Sequence, residues 1–261
     1  MSCPFARSRP SGARSAGLAA LSLAAQLAAA PAGAQGSHPG YLLGAPDGSL
    51  SIRGGYDRAL AASDLFSDVM SRLTLSKGDF SGFAVATDLG VRLSERFDVV
   101  VGSGFAGSSA TSHYRKFTDA DNKEIEQTTT FRRVPVSLSF KGYLAPRGRS
   151  IGRLAWIPTR VAPYLGAGGG VLYYQFRQSG DFIDFATDDL GVFTSTVESS
   201  KWTTEAHAFA GLDYTLNPNL ALTGEARYTW GRATLNRADF EGYHPIDLSG
   251  VAVTAGLAVR F

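Results

Sequence analysis

From Val251 to Phe261 the chain alternates without a break. Val251, Val253, Ala255, Leu257, Val259 and Phe261 fall on one face of an extended strand, and Ala252, Thr254, Gly256, Ala258 and Arg260 on the other. In water the apolar face needs a protein partner. In a bilayer it needs only hydrocarbon, provided that the sheet closes and leaves no backbone group unpaired. A terminal strand of this kind restricts the chain to a closed sheet with its apolar side turned to lipid, or to a barrel that covers that side from within.

The pattern recurs. Period-two alternation also runs over residues 50–57, 80–93, 97–109, 131–144, 164–176, 202–214 and 220–233, and it includes 248–261 at the end, giving eight strands. Helical periodicity is weak after the first 34 residues. Residues 94–96 and 217–219 are short turns, whereas residues 58–79, 114–130, 177–201 and 234–247 are long and polar and fall on one rim. Short turns at one end and long loops at the other describe an all-β, eight-stranded antiparallel up-and-down transmembrane β-barrel, with its termini on the periplasmic side. One long connection, residues 145–162, falls on the short-turn side. It carries Arg147, Arg149, Arg153 and Arg160 with Trp156, and reads as a folded-back loop or as a basic patch toward anionic headgroups.

The beginning of the chain agrees with secretion. Arg7, Arg9 and Arg14 precede the apolar stretch 16–30, and Ala32-Gly33-Ala34 has the small residues of a cleavage site, so residues 1–34 read as a Sec-type signal peptide. A membrane helix is the competing reading, weakened by alanine richness and by Gln26 and Pro31. Residues 35–48 then form a periplasmic leader that is either flexible or enters the barrel mouth, and residues 49–261 form the barrel. Cleavage removes three of 25 basic residues and none of 23 acidic ones, so the net charge falls from +2 to −1. No basic stripe interleaved with aromatics remains, which excludes nucleic acid as a partner. The single cysteine, Cys3, also leaves, so neither a disulfide framework nor a thiolate site is expected.

Parity along the strands assigns the faces. Phe83, Val85, Leu89, Val91, Val134, Val136, Leu138 and Phe140 point outward, and Tyr56, Tyr173, Trp202, Tyr214, Tyr228 and Trp230 lie near strand ends, where amphipathic rings form a girdle at each rim. A soluble lipocalin-like binding barrel would reverse these faces. Inward parity collects Arg53, Asp88, Arg92, Asp98, Arg133, Lys141, Glu205, Asp213, Glu225, Arg227 and Arg260, with His207 beside them. Eight strands leave an interior that side chains fill, so these charges are expected to pair into a plug, with Gly102, Gly104, Gly166, Gly168 and Gly170 making room. Gly166 to Gly170 is no nucleotide cradle, because Val171 stands where the third glycine of that fingerprint belongs and no helix follows. The loop carboxylates Asp119, Asp121, Glu124, Glu126, Asp181, Asp184, Asp188 and Asp189 are solvated charge, or could share divalent cations with lipopolysaccharide phosphates.

Catalysis would need a nucleophile, a histidine and a carboxylate in reach. Among His38, His113, His207 and His244, only His207 shares a face with a near carboxylate, Glu205, in the manner of a base with its orienting acid, but the pair reads first as a histidine satisfied within the polar plug, and the chain as no enzyme. Ser112 and His113 are adjacent in sequence and so point apart. The histidines are scattered, so no metal site and no cofactor is expected.

The signal peptide, the segments 163–168 (PYLGAG) and 220–228 (LALTGEARY), and the terminus 256–261 (GLAVRF) resemble the small outer-membrane β-barrel superfamily of Gram-negative bacteria, which includes porin-like and adhesion-related eight-stranded barrels. The resemblance covers nearly all of the mature chain, and only the long 145–162 connection departs from it. It implies outer-membrane lipid and lipopolysaccharide as surroundings, and Phe261 as part of a terminal signal read transiently by the insertion machinery. It implies no substrate. The expected role is structural or surface interaction, or very narrow solute passage; a lipid-modifying barrel enzyme is the alternative.

Overall fold

The computed structural model describes residues 40–118, 121–152, 155–184 and 191–261. The expected signal peptide, the start of the leader, His38, Asp119, Arg153, Asp188 and Asp189 lie outside these residues. Eight strands form the body: β1 (Gly48–Ala59), β2 (Gly82–Arg92), β3 (Phe97–Thr118), β4 (Glu124–Tyr143), β5 (Val161–Ile183), β6 (Val192–Asn217), β7 (Leu220–Ala233) and β8 (Gly250–Arg260). Each pairs antiparallel with its sequence neighbours. β8 then pairs with both β7 and β1, so the ring closes without an edge. The carbonyl of Phe261 accepts from the backbone N–H groups of Asp47 and Gly48 at 2.8 and 2.9 Å, sealing the seam at the turn end.

The outward side chains form the apolar band that parity predicts. Ile52, Phe83, Val101, Leu138, Phe140, Leu165, Leu222, Val253 and Leu257 are all exposed, on the outside of a closed sheet with a polar interior. That inversion of a soluble barrel's faces marks a transmembrane barrel and sets aside the lipocalin-like alternative. The girdle, however, is one-sided. Tyr56, Tyr173, Trp202, Tyr228 and Trp230 sit on the loop side of the band, with Tyr173 packed on Trp202 at 5.4 Å and Tyr228 on Trp230 at 4.4 Å between ring centroids. Only Tyr214 sits at the turn end, where the Arg160 Nε donates to its hydroxyl at 3.0 Å. That rim also exposes Leu93, Phe97, Phe140, Leu144, Val161, Leu216 and Phe261.

Three expectations need correction. Residues 114–130 and 177–201 are strand for most of their length: β3 to β6 run for 22, 20, 23 and 26 residues. A membrane strand needs roughly 9–11, so these four rise as a wall above the other strands. Glu124, Glu126 and Asp181 therefore stand on strands, and among the described residues no group of three or more His, Asp or Glu could hold a metal ion.

Second, the β1–β2 connection contains helix α1 (Asp64–Arg72). Leu65, Phe66, Val69, Met70 and Leu73 make one apolar stripe at helical spacing, Asp64 lies in the first turn, and Arg72 pairs with Asp68 one turn earlier at 2.9 Å. This short amphipathic run drops into the loop-end mouth. It packs with Phe80, Ile125, Phe131, Leu172, Tyr174, Phe176, Ile183, Leu235, Phe240, Ile246 and Leu248 into one buried apolar cluster. The lumen is charged only below this plug.

Third, the 145–162 connection folds back, as the first of its two readings has it, but into a paired β-hairpin, Gly148–Ile151 with Ala155–Pro158, to which Leu42–Leu43 of the expected leader adds a third strand. Trp156 is buried there rather than at a headgroup interface, while Arg149 and Arg160 remain exposed.

Candidate functional site in the lumen

The inward groups stack in layers from the turn end upward. In the lowest, the Arg147 Nη1 donates to Asp98 Oδ2 at 2.9 Å, reaching in from the hairpin connection. Lys141 Nζ lies 3.5 Å from Asp213 Oδ2 and 3.5 Å from the Tyr164 ring centroid, and Tyr143 donates its hydroxyl to the same Asp213 oxygen at 3.1 Å. Arg260 donates to the Thr215 hydroxyl at 3.1 Å. Above them Arg53 Nη2 bridges Asp88 Oδ2 at 2.5 Å and Glu225 Oε1 at 3.2 Å. Arg227 meets that Glu225 oxygen at 3.0 Å, and the Tyr164 hydroxyl donates to the other at 3.2 Å. Nearest the plug, Arg133 is ion-paired with Asp57 and donates to the Leu248 carbonyl at 2.9 Å. Burying such charges is tolerable because each but Arg260 has an opposite partner, and Arg260 has the Thr215 hydroxyl.

Arg92 stands apart from the network. It is half-buried at the turn end and its Nε donates to the Ser94 carbonyl at 3.2 Å, because the strand ends there and the side chain turns toward the loop. The layered network also recruits groups not anticipated from sequence. Asp57 has the same parity as Arg53, and Tyr143 and Ser139 the same parity as Lys141, so alternation alone would have found them. Arg147 lies outside the strands, where alternation says nothing.

Between the Arg53 and Arg133 layers is a second kind of arrangement. Ser139 Oγ lies 2.7 Å from His207 Nε2, and His207 Nδ1 lies 3.0 Å from both oxygens of Glu205. Ser139 and His207 come from β4 and β6, which are not neighbours. Gly168 of β5 is the register partner of both, and a Cβ there would stand 2.6 Å from Ser139 Oγ and closer still to the Leu138 carbonyl. The missing side chain is what lets serine and histidine meet across the intervening strand. Gly170, paired with Ser137 and Glu205, clears the next row. The other candidate pair is not brought together: Ser112 Oγ donates to the Gln127 carbonyl, while His113 faces Glu124 at 3.4 Å. His244 Nδ1 is 2.8 Å from Asp64 Oδ2, and the His244 backbone N–H with that ring pulls the Asp64 carboxyl below the usual range.

A cavity of about 30 Å³ lies on the turn-end side of this constellation. It is lined by Arg53, Asp88, Asp98, Lys141, Phe209 and Asp213 among others. That is room for roughly two water molecules. Asp88, Asp98 and Asp213 each keep one buried carboxylate oxygen, Oδ1, without a protein hydrogen bond.

No sequence family matches the chain, and no curated protein matches it. Solved structures share its general architecture at a distance. Neisserial surface protein A is 15% identical, with a TM-score of 0.44 over 82% of this chain and 97% of that one. A major outer membrane protein from Thermus thermophilus is 16% identical, with a TM-score of 0.44 over 82% and 99%. Ail, the attachment invasion locus protein of Yersinia pestis, is 16% identical, with a TM-score of 0.38 over 82% and 99%. Such distant similarity carries no residue roles. On its own strand pairing, its lipid-facing band and its polar interior, the chain is a small eight-stranded transmembrane β-barrel of the outer-membrane type.

Proposed function

We propose that this barrel is a non-enzymatic envelope protein that keeps its lumen shut and acts through its raised loop end. The observation that carries the reading is the apolar plug. Phe66, Phe131, Leu172, Phe176 and Leu248 are at most 2% exposed and occupy the loop-end mouth, and a dry constriction above paired charges opposes ion passage. The wall formed by β3 to β6 offers the outside a large polar surface. Arg58, Arg132, Arg177 and Arg232 are exposed and outward-facing just beyond the apolar band, which suits the phosphates of lipopolysaccharide as neighbours. The terminal strand ending in Phe261 is the segment offered to the insertion machinery. The lumen groups of the Arg53 and Lys141 layers already have partners, which argues against a solute path through them.

Reconstitution into planar bilayers tests the reading, with a gel-mobility shift on boiling as proof of folding. The folded barrel is expected to be silent. Discrete openings that change when Arg227 or Glu225 is neutralised would overturn the sealed-lumen reading in favour of narrow solute passage.

A further inference from the structure

Above the closed ring, the wall formed by β3 to β6 has two long sides, and the chain treats them differently. We propose that the side of β6 that faces β7, over residues 192–204, is a docking edge for an extended acidic peptide segment of another protein, which adds to the wall as an antiparallel strand. The proposal rests on the reading of the raised loop end as the working surface and names the partner that this surface fits.

The first observation is a row of unpaired main-chain groups. β7 pairs with β6 only as far as Gly231 and Glu205, whereas β6 continues up to Val192. In an antiparallel ladder the N–H and C=O of one residue point to the same side, and the side alternates along the strand. The Glu198 N–H points away from β5, to Asp239 Oδ2 at 3.3 Å, so Thr194, Thr196 and Ser200 turn their backbone groups the same way. None of these three has a backbone partner on that side among the described residues. The opposite edge of the wall is closed. There the Thr74 N–H donates to the His113 carbonyl at 2.9 Å, the His113 N–H donates to the Thr74 hydroxyl at 3.1 Å, and Arg115 donates to the Met70 and Leu75 carbonyls. Native edges are blunted by charge, by proline or by a covering segment. Residues 192–197 (VFTSTV) carry neither charge nor proline, and Val192 and Phe193 are 40% and 50% exposed.

The second observation is room. Residues 234–237 run beside the lower part of this edge without a ladder: the Asn236 N–H donates to Ser199 Oγ at 2.9 Å, and Lys201 Nζ to Thr234 Oγ1 at 3.1 Å. Between them lies a groove of about 520 Å³, lined by Ser199, Ser200, Lys201, Leu235, Asn236 and Arg237 among others. One strand residue fills about 3.3 × 4.8 × 10 Å, or about 160 Å³, so the groove takes roughly three. The third observation is charge. Lys201 and Arg237 line the groove, and Arg232 adjoins it, its carbonyl accepting from the Thr203 hydroxyl at 2.8 Å. Neither arginine has an ion pair among the described residues. The carboxylates at this height are engaged, Glu198 with Gln175 at 2.8 Å and Asp239 with the Glu198 N–H. At the upper end Phe193 stacks on Phe182 at 6.1 Å between ring centroids and still faces solvent. An antiparallel guest therefore begins with carboxylates near the membrane and ends with apolar side chains beside Phe193.

The test is fluorescence anisotropy of the labelled synthetic peptide EETVTVTV with the folded, heat-modifiable barrel in detergent. Saturable binding is expected. Thr196→Pro, which removes one N–H of the free edge and no ladder bond, should weaken it roughly tenfold, as loss of a main-chain hydrogen bond and of a flat edge predicts. Lys201→Glu combined with Arg237→Glu should weaken it at low salt and remove its salt dependence. Bound peptide should protect the amides of Thr194, Thr196 and Ser200 from hydrogen exchange. Of two versions of the peptide N-methylated at alternate residues, one should bind like the parent and the other should not. No binding, or equal binding by both methylated versions, would overturn the proposal. So would a barrel that ignores the peptide but forms a dimer that Thr196→Pro dissolves, which assigns the edge to a second copy. These failures leave the bilayer result, and hence the sealed-lumen reading, unaffected, whereas channel openings with the peptide still bound would overturn that reading and keep the docking edge.

Discussion

The plug is most directly tested at Phe66. Its ring is fully buried and meets Phe80, Phe131 and Phe176 edge-on, at centroid distances of 4.7, 5.4 and 5.8 Å. Truncation to alanine in such a site costs about 3–5 kcal/mol, because the lost contacts leave a cavity that the rigid β4 and β5 walls cannot collapse to fill. α1 has nine residues, and an isolated helix of fewer than about 12–15 residues is marginal in water, so it holds its shape only while docked. Most of the loss should therefore appear as local undocking. Its equilibrium should rise by roughly a hundred- to a few-thousand-fold, at tenfold per 1.4 kcal/mol. Hydrogen exchange read peptide by peptide checks this: amides of α1 in Phe66→Ala should exchange faster by that factor, while those of β7 and β8 stay protected. The barrel should still shift on boiling and still be silent in bilayers, since the charged layers beneath the plug are untouched. Unchanged exchange in α1 would refute the claim that the apolar face of α1 holds the plug. Equal acceleration in every strand would refute the claim that plug and barrel open separately.

Two further outcomes follow from the charged and titrating groups. Asp57→Asn leaves the buried Arg133 guanidinium without its counter-charge, with the Leu248 carbonyl and the Phe131 ring face, 5.1 Å away, beside it, and should destabilise the barrel by about 3–5 kcal/mol in denaturant titrations read by gel mobility. Tyr243 docks residues 234–249 on α1 by donating to Asp68 Oδ2 at 2.5 Å, and burial, then the Asp68 hydrogen bond and charge, raise its pKa to about 12. A raised pKa means that the contribution is complete below the unfolded tyrosine value near 10 and disappears as pH rises through about 12. Exchange in α1 should accelerate over that window in the wild type and lose this pH dependence in Tyr243→Phe.

The membrane-facing half of the fold is legible because one physical rule governs it. Lipid accepts only apolar outward side chains, so alternation marks every strand from Phe83 to Phe261 with the same period. β7 runs from Leu220 to Ala233 as alternation alone indicates. Where the strands leave the bilayer the rule lapses. Residues 114–118 and 177–183 mix Arg, Lys, Gln, Ser and Asp with their apolar positions, and pattern reading assigns them to loops. The ladders nevertheless continue to Thr118, past one register irregularity, and to Ile183. α1 escapes pattern reading for a related reason. Nine residues hold little more than two turns, and five apolar positions at helical spacing are a weak signal inside a connection otherwise rich in Ser and Asp.

The lumen shows a different boundary of what sequence discloses. Parity says which residues point inward, but not which of them share a height, because height depends on the stagger between strands. Arg53 and Glu225 are 172 positions apart and lie 3.2 Å from each other; Arg92 and Asp98 face one another across a two-stranded register, yet Arg147 from outside the strands takes the carboxylate. Ser139 is the sharpest case. Nothing in its neighbourhood distinguishes it from Ser137, two residues away on the same face, until β5 is laid between β4 and β6 in register. Gly168 then falls between Ser139 and His207, and Gly170 between Ser137 and Glu205. Both rows are cleared, but only the first presents a ring nitrogen to a hydroxyl. A Cβ on Gly168 would also press on the Leu138 carbonyl, so the close approach of β4 sets the glycine, and the Ser139–His207 contact follows from the space it leaves.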